Sequence, residues 1–323
     1  MNKKPIWPAM LIIIAAMLWG VDGSVLRPAL YSLLAKVVVF AEHIIAFAVM
    51  LIIVVIVLNK RKIPNWLKED IKSIKKLPMK GWYAVAWIAF FGGMIGTIAI
   101  VKALFYVNFI PLSIPILVQK LQPIFGILLA IILLKEKPRK SFYFWAVIAL
   151  LGSYFVTFGF AKPILSVENK ALMAGLLGLL AAFSWGSSTV FGKAALKGLT
   201  YRAATFLRFG ITSLFIFILL LATGSLSGLT AITTNQFLIL LLIAFTSGGT
   251  AMFVYYKGLQ RIKASSSTLL ELAFPVTVIV LDYIIRGSIM SIPQFFGAAL
   301  IIVAIIVITR QETVKTQVEE TWE

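Results

Sequence analysis

The chain has 323 residues, of which 61% are hydrophobic and 13% charged, a composition that excludes a water-soluble domain. Its 30 Lys and Arg against 12 Asp and Glu give a formal net charge of +18, an excess that belongs either to a nucleic-acid surface or to the loops of a membrane protein. There is no Cys, which removes disulfides, thiolate zinc sites and thiol nucleophiles.

A membrane-spanning helix needs about 20 apolar residues. Ten such stretches follow one another at residues 6–29, 36–58, 82–104, 110–134, 141–161, 170–196, 201–223, 236–257, 264–286 and 292–309. The connections are too short for a soluble catalytic domain, and the longest is the lysine-rich segment from Asn59 to Lys80. Twenty-two of the 30 basic residues fall on one side of these spans. Only Arg27, Lys36, Lys162, Lys170 and Arg286 fall on the other, and Lys102, Lys120 and Arg208 lie within spans. Because basic loops stay inside, both termini are expected in the cytoplasm of a multi-pass protein of the plasma (cell inner) membrane. The excess of +18 is therefore an orientation signal. It points to anionic lipids at the cytoplasmic face as partners and not to nucleic acid. Trp66 and the lysines through Lys80 suit a segment lying on the membrane or binding a partner, and a homodimer is a compatible assembly. Lys3 and Lys4 before an apolar run also describe a secretory signal peptide; the repeat described next argues against cleavage, which would strip the sixth span of its counterpart.

The chain matches itself across its midpoint. At an offset of 166, Trp19-Gly20 corresponds to Trp185-Gly186, Asp22 to Ser188 and Arg27 to Lys193. At 155, Ile88-Ala89-Phe90 matches Ile243-Ala244-Phe245, each followed by paired glycines, and Lys102-Ala103-Leu104 matches Lys257-Gly258-Leu259. At 152, the stretch Gln119 to Pro123 matches Glu271 to Pro275. Five spans per copy is an odd number, so the second copy lies upside down relative to the first. Inverted repeats of this kind suit alternating access to a central site. The expected architecture is an all-α polytopic protein of ten transmembrane helices in two inverted five-helix repeats, 1–162 and 163–310, with a cytoplasmic tail at 311–323.

The paired Trp-Gly of the first and sixth spans, the glycine-rich third and eighth, the helix-interrupting Pro123 and Pro275 and the exit Leu134-Lys135-Glu136 resemble the EamA family of the drug/metabolite transporter superfamily. The resemblance covers residues 6 to 309 and implies ten helices in two inverted repeats, with the fifth and tenth peripheral to a central cavity. It further implies export of amino acids, metabolites or drugs. This chain departs from the symmetry at Ser288, which stands where the repeat would put a second Glu136.

An ionisable group inside a bilayer costs several kcal/mol unless paired or wetted, so such groups are the first site candidates. The intramembrane acids are Asp22, Glu42, Glu271 and Asp282. Asp22 and Asp282 lie close enough to helix ends to reach interfacial water. Glu271 is sharper: it precedes Pro275 by four residues, on one helical face, and proline frees a backbone carbonyl there. Such a carboxylate suits a cation, a substrate ammonium or a proton, or else an ion pair with Arg208 or Lys257. Gln119 is its counterpart in the first repeat, with Gln122 and Pro123 beside it. Lys120 points about 100° away from Gln119 and serves either as a partner for Glu42 or as a site for an anionic group. His43, next to Glu42, is either a proton relay or a packing residue. Arg208 offers a fixed fork for a carboxylate of the substrate, of Glu271 or of Glu42. Trp19 and Trp185, away from the interfacial belts, wall a pocket or plug helix contacts. Gly92, Gly93, Gly96, Gly248 and Gly249 read as close-packing surfaces.

No His-Glu-x-x-His, Gly-x-Ser-x-Gly or phosphate-cradling glycine motif occurs, so neither an enzyme nor an ATP-driven pump is expected, and no cofactor or metal is called for. The expected function is secondary active transport, with export favoured, of a small polar metabolite such as an amino acid or amine. Substrate binding is expected at Trp19, Gln119, Gln122, Trp185, Arg208 and Glu271, and coupling or relay at Glu271, Glu42, His43 and Lys120. The alternatives are transport of an organic or quaternary ammonium cation and, from another class, a membrane scaffold or polytopic enzyme.

Overall fold

A computed structural model describes residues 6–106, 118–161, 169–287 and 289–314. The start of the fourth expected span, Lys3, Lys4, Lys162, Ser288, Lys315 and the tail beyond Val314 lie outside the described residues. The helices are α1 (Trp7–Val21), α2 (Ala35–Leu58), α3 (Asn65–Lys75), α4 (Met79–Trp87), α5 (Gly96–Tyr106), α6 (Gln122–Leu133), α7 (Lys140–Phe158), α8 (Asn169–Ala195), α9 (Tyr201–Ala222), α10 (Thr234–Ile243), α11 (Gly249–Leu259), α12 (Ala264–Leu270), α13 (Ala273–Arg286) and α14 (Ile292–Val314). Among the described residues nine helical stretches are long and apolar enough to cross a membrane. The shorter apolar helix α6 falls within the fourth expected span.

The packing follows the repeat. In one direction α1 packs on α11 and α13; in the other α8 packs on α5 and α6, and exchanging the two repeats converts one set into the other. Helices α2 and α9 pair with each other, as do α7 and α14. The Trp-Gly motif has a packing reason within this scheme. A Cβ on Gly20 would lie 2.9 Å from Thr277 and 3.3 Å from the Phe274 carbonyl, while one on Gly186 would lie 2.6 Å from the Gln122 carbonyl and 3.0 Å from Phe125. Phe274 and Thr277 are the repeat counterparts of Gln122 and Phe125. Each glycine therefore admits the same broken span of the other repeat at backbone contact.

The broken spans are the fold's main departure from regular helix. The chain turns at Lys120–Leu121 before α6 and at Glu271–Leu272 between α12 and α13. Pro123 and Pro275 sit in the first turn after each break, where a missing N–H leaves no helix bond unmade. Glu271 thus stands at a break, and the one-face relation to Pro275 expected for a continuous helix does not apply.

Three further segments widen into π geometry. They are Asp22–Leu26 after α1, Ile88–Ile95 between α4 and α5, and Ala244–Gly248 between α10 and α11. The last two are repeat mates. Their carbonyls are released from the ordinary ladder and taken up by side chains: Thr212 donates to the Ala89 carbonyl at 3.1 Å and Thr250 to that of Phe245 at 2.6 Å. The glycines divide accordingly. Gly92, Gly93 and Gly96 abut Ser188, Thr212 and Trp185 on neighbouring helices, as close-packing positions do. A Cβ on Gly248 or Gly249 would instead meet their own π turn, 3.1 Å from the Ile243 carbonyl and 2.6 Å from that of Ala244 respectively, so they shape the turn more than the helix contact.

Two polar clasps tie the lysine-rich end together. Lys135 adopts a φ of 53° and ends α6, which turns the Glu136 carboxylate onto the N-terminus of α12. There it accepts from the Ala264 N–H at 2.7 Å and the Ser265 N–H at 3.1 Å. A carboxylate at a helix N-terminus satisfies orphan donors and complements the dipole. The lysine-rich connection contains α3, whose buried Asp70 accepts from Arg202 Nε at 2.9 Å and from the Thr200 hydroxyl at 2.5 Å. Helix α3 is so fastened to the start of α9, with Lys68, Lys72, Lys75 and Lys76 left exposed.

Candidate functional site

The Glu271 carboxylate, at the break between α12 and α13, gathers side chains from both repeats. One oxygen accepts from the Gln122 amide at 2.8 Å. The other accepts from the Tyr255 hydroxyl at 2.6 Å and the Thr189 hydroxyl at 3.2 Å. Ser267 donates to the Tyr255 hydroxyl at 3.3 Å, and the Thr189 and Tyr255 oxygens are 2.9 Å apart. Trp19 packs on Tyr255 with ring centroids 5.2 Å apart. Four elements (α6, α8, α11 and the α12–α13 break) thus converge on one partly buried acid with an aromatic pair beside it. The short O–H···O bond from Tyr255 is of the charge-assisted kind. Among the described residues no cation lies in ion-pair range of Glu271. Its charge is held by neutral donors alone, an arrangement that leaves it available to a ligand.

Arg208 forms a separate tier directly behind this one. Its Nη1 donates to Ser188 at 3.1 Å and to the Tyr256 hydroxyl at 3.0 Å, and its planar group lies over the Tyr256 ring at 5.9 Å. The head rests in the notch at Gly92, where a Cβ would come within 3.1 Å of Nη2. Because Ser188 adjoins Thr189 and Tyr256 adjoins Tyr255, helices α8 and α11 each present one residue to the acid and the next to the base. The expected ion pairs of Arg208 with Glu271 or Glu42 are replaced by these neutral partners.

The remaining expected residues are placed as follows. Gln122 joins Glu271, whereas Gln119 is partly buried just before the turn. Trp185 lies against Gly96, which would crowd its Nε1 at 2.8 Å if it carried a Cβ. Lys120 lies over the Phe274 ring at 5.5 Å, not against Glu42. Glu42 instead binds Arg27 at 3.0 Å, and Arg27 also binds Asp22 at 2.6 Å. Asp22 is 7% exposed, so it is buried in the protein where interfacial water was expected. His43 Nδ1 lies 2.8 Å from the Val39 carbonyl, with its ring 5.1 Å from that of Phe209.

Three features escaped the sequence reading. Tyr255 and Thr189 look like ordinary span residues until the fold brings them to Glu271, although Thr189 follows Trp185 by one helical turn. Arg27 was counted only as a basic residue of the outer side, and its contacts with Asp22 and Glu42 were not foreseen. The third is an aromatic stack in which Trp87 lies between Phe91 at 4.2 Å and Phe191 at 4.5 Å, its indole N–H donating to Ser187 at 3.0 Å.

A solved crystal structure shares this fold, with a TM-score of 0.71 over 93% of this chain and 94% of that one at 16% identity. Riboflavin transporter ImpX of Fusobacterium nucleatum subsp. nucleatum is 42% identical over 94% of this chain and 97% of its own length. Uncharacterized transporter YwfM of Bacillus subtilis is 28% identical over 54% of this chain and 57% of its own. The model of the EamA-like transporter family matches residues 6–158 and again 172–310. With one match to each repeat, the chain belongs to the EamA-like transporter family.

Proposed function

We propose that the chain carries riboflavin, or a flat uncharged heteroaromatic of that kind, through the Glu271 site by alternating access between its inverted repeats. The observation that carries the reading is the 42% identity over 94% of the chain to a transporter named for riboflavin. The site chemistry is compatible with such a solute. Riboflavin joins a planar ring system, whose edge bears one imide N–H between two carbonyls, to a chain of hydroxyls. The Trp19–Tyr255 pair offers faces for the ring. Glu271 offers an acceptor for N–H or O–H, and Gln122 offers both a donor and an acceptor. Pockets of this kind are mainly apolar with a few placed polar groups.

An amino acid fits less well, since a zwitterion needs both charges facing it, while Arg208 is turned toward Ser188 and Tyr256. The reading sets the chain in the plasma membrane with both termini on the cytoplasmic side, which the one-sided excess of basic residues supports. Radiolabelled riboflavin outside the vesicles makes the test direct, because uptake of the label reads exchange. Proteoliposomes holding the chain and preloaded with riboflavin exchange it for external riboflavin, and unlabelled amino acids fail to compete. Absence of riboflavin flux together with amino-acid counterflow would overturn the substrate assignment while leaving a transporter.

A further inference from the structure

At the end of the bundle opposite the lysine-rich connections, α1 passes into its π turn. The Arg27 N–H there bonds to the Asp22 carbonyl, a five-residue spacing, so the π turn stacks Arg27 on Asp22. The guanidinium reaches Asp22 Oδ2 through Nη2 at 2.6 Å and Nε at 3.2 Å, and from Nη2 extends 3.0 Å to Glu42 on α2. Asp22 and Glu42 are 7% and 6% exposed. Two carboxylates share one guanidinium, so this buried cluster holds one more acid than base. Asp22 Oδ1 is buried with no partner among the described residues, and so is Arg27 Nη1.

Among the described residues no second cation pairs with these carboxylates. His43 Nδ1 faces the Val39 carbonyl at 2.8 Å and lies 3.5 Å from Glu42 Oε1. Of the elements packed nearby, α9 brings Arg208, committed to Ser188 and Tyr256. Helix α13 brings Asp282 and α5 an exposed Lys102, α11 carries Tyr255, Tyr256 and Lys257, and α10 has no ionisable side chain. A lock between α1 and α2 would need one acid; the second costs desolvation without repaying it. The other repeat has no such site. At the offset of 166, Asp22, Arg27 and Glu42 become Ser188, Lys193 and Arg208, two bases and no acid. Lys193 there donates to the Leu259 and Gln260 carbonyls.

We propose that Asp22 and Glu42, bridged by Arg27, bind one monovalent cation, a proton or a sodium ion, at the free oxygen of Asp22, and that this is the coupling site of the transporter. The ion competes with Arg27 for the carboxylates, so its arrival loosens the tie between α1 and α2. A π turn inside a helix is a frequent mark of a functional position. The site stands apart from Glu271 and is independent of which solute that site takes.

The purified full chain provides a solute-free test. Its melting temperature is measured from pH 5.5 to 8.5 in sodium chloride and in choline chloride. Proton binding predicts a stabilisation set by pH in both salts, and sodium binding one that saturates with sodium alone. Asp22→Asn and Glu42→Gln abolish that response, whereas Asp282→Asn keeps it. Arg27→Gln removes the competing cation, so the response moves to about tenfold lower ion concentration, one pH unit for a proton. The proposal is overturned by a parent chain indifferent to both ions. A response equally strong in Asp22→Asn and Glu42→Gln, or one weakened in Arg27→Gln, overturns it as well.

Discussion

The Glu271 carboxylate accepts three hydrogen bonds from uncharged donors, so removing its charge separates geometry from electrostatics. Glu271→Gln retains the size and most of the contacts. It is expected to slow riboflavin exchange about ten- to a hundredfold, the worth of roughly 1.5–3 kcal/mol for a hydrogen bond to a charged group. Tyr255→Phe keeps the ring under Trp19 and loses one of three donors to the carboxylate, so a loss at the lower end of that range, about tenfold, is expected. Initial exchange rates at equal reconstituted protein check both, and unchanged rates in Glu271→Gln would remove the acid from the site. Sequence reasoning found Glu271 and Gln122 because a carboxylate and an amide within apolar spans stand out chemically. It passed over Tyr255 and Thr189, since a tyrosine or threonine in a span packs as readily as it binds. The contact of Arg27 with Asp22 was missed for a different reason: only the π turn stacks the two side chains, and a regular helix pattern gives no sign of it.

At the scale of elements, each broken span is held by a feature of the opposite repeat. Gly186 against the Gln122 carbonyl is the tighter contact at 2.6 Å. Gly186→Ala must push backbone from backbone and is expected to cost about 1–3 kcal/mol, as overpacking does. Gly20→Ala meets mainly the Thr277 side chain at 2.9 Å and is expected to cost less. Melting temperatures in detergent rank the two, and the reverse order would contradict the packing scheme. Glu136→Ala deprives α12 of its cap at Ala264 and Ser265, with an expected loss of about 1 kcal/mol. Glu136→Ala is also expected to leave exchange close to parental once the protein is folded, since the cap lies apart from Glu271. The prolines made the interruptions legible in the sequence. Which residue stands at the turn was not, because helix termination depends on the packing of α1 and α8 against those spans. The π segments leave no mark in composition beyond the paired glycines.

Across the whole molecule, repeat and membrane character were readable because both are written as long patterns, apolar runs and offsets of 152 to 166 residues. The contacts repeat under exchange of the halves, yet the chemistry does not: Glu271 answers Gln119, and the acids Asp22 and Glu42 answer Ser188 and Arg208. In the proposed function the symmetric scaffold provides the alternation of access, and the asymmetric side chains provide the solute and ion sites. Substrate identity was the least legible property, because buried charges of both signs suggested a zwitterion, whereas Arg208 is turned toward Ser188 and Tyr256 and not toward Glu271. The central claim is that Glu271 lies in the path of a flat uncharged solute. Riboflavin counterflow in proteoliposomes, comparing the parent with Glu271→Gln, tests it most directly. The account predicts robust exchange by the parent, unaffected by amino acids, and a ten- to a hundredfold slower exchange in the variant, roughly the span of one charge-assisted hydrogen bond. Riboflavin exchange of equal rate in a folded Glu271→Gln, or none in the parent, would contradict it.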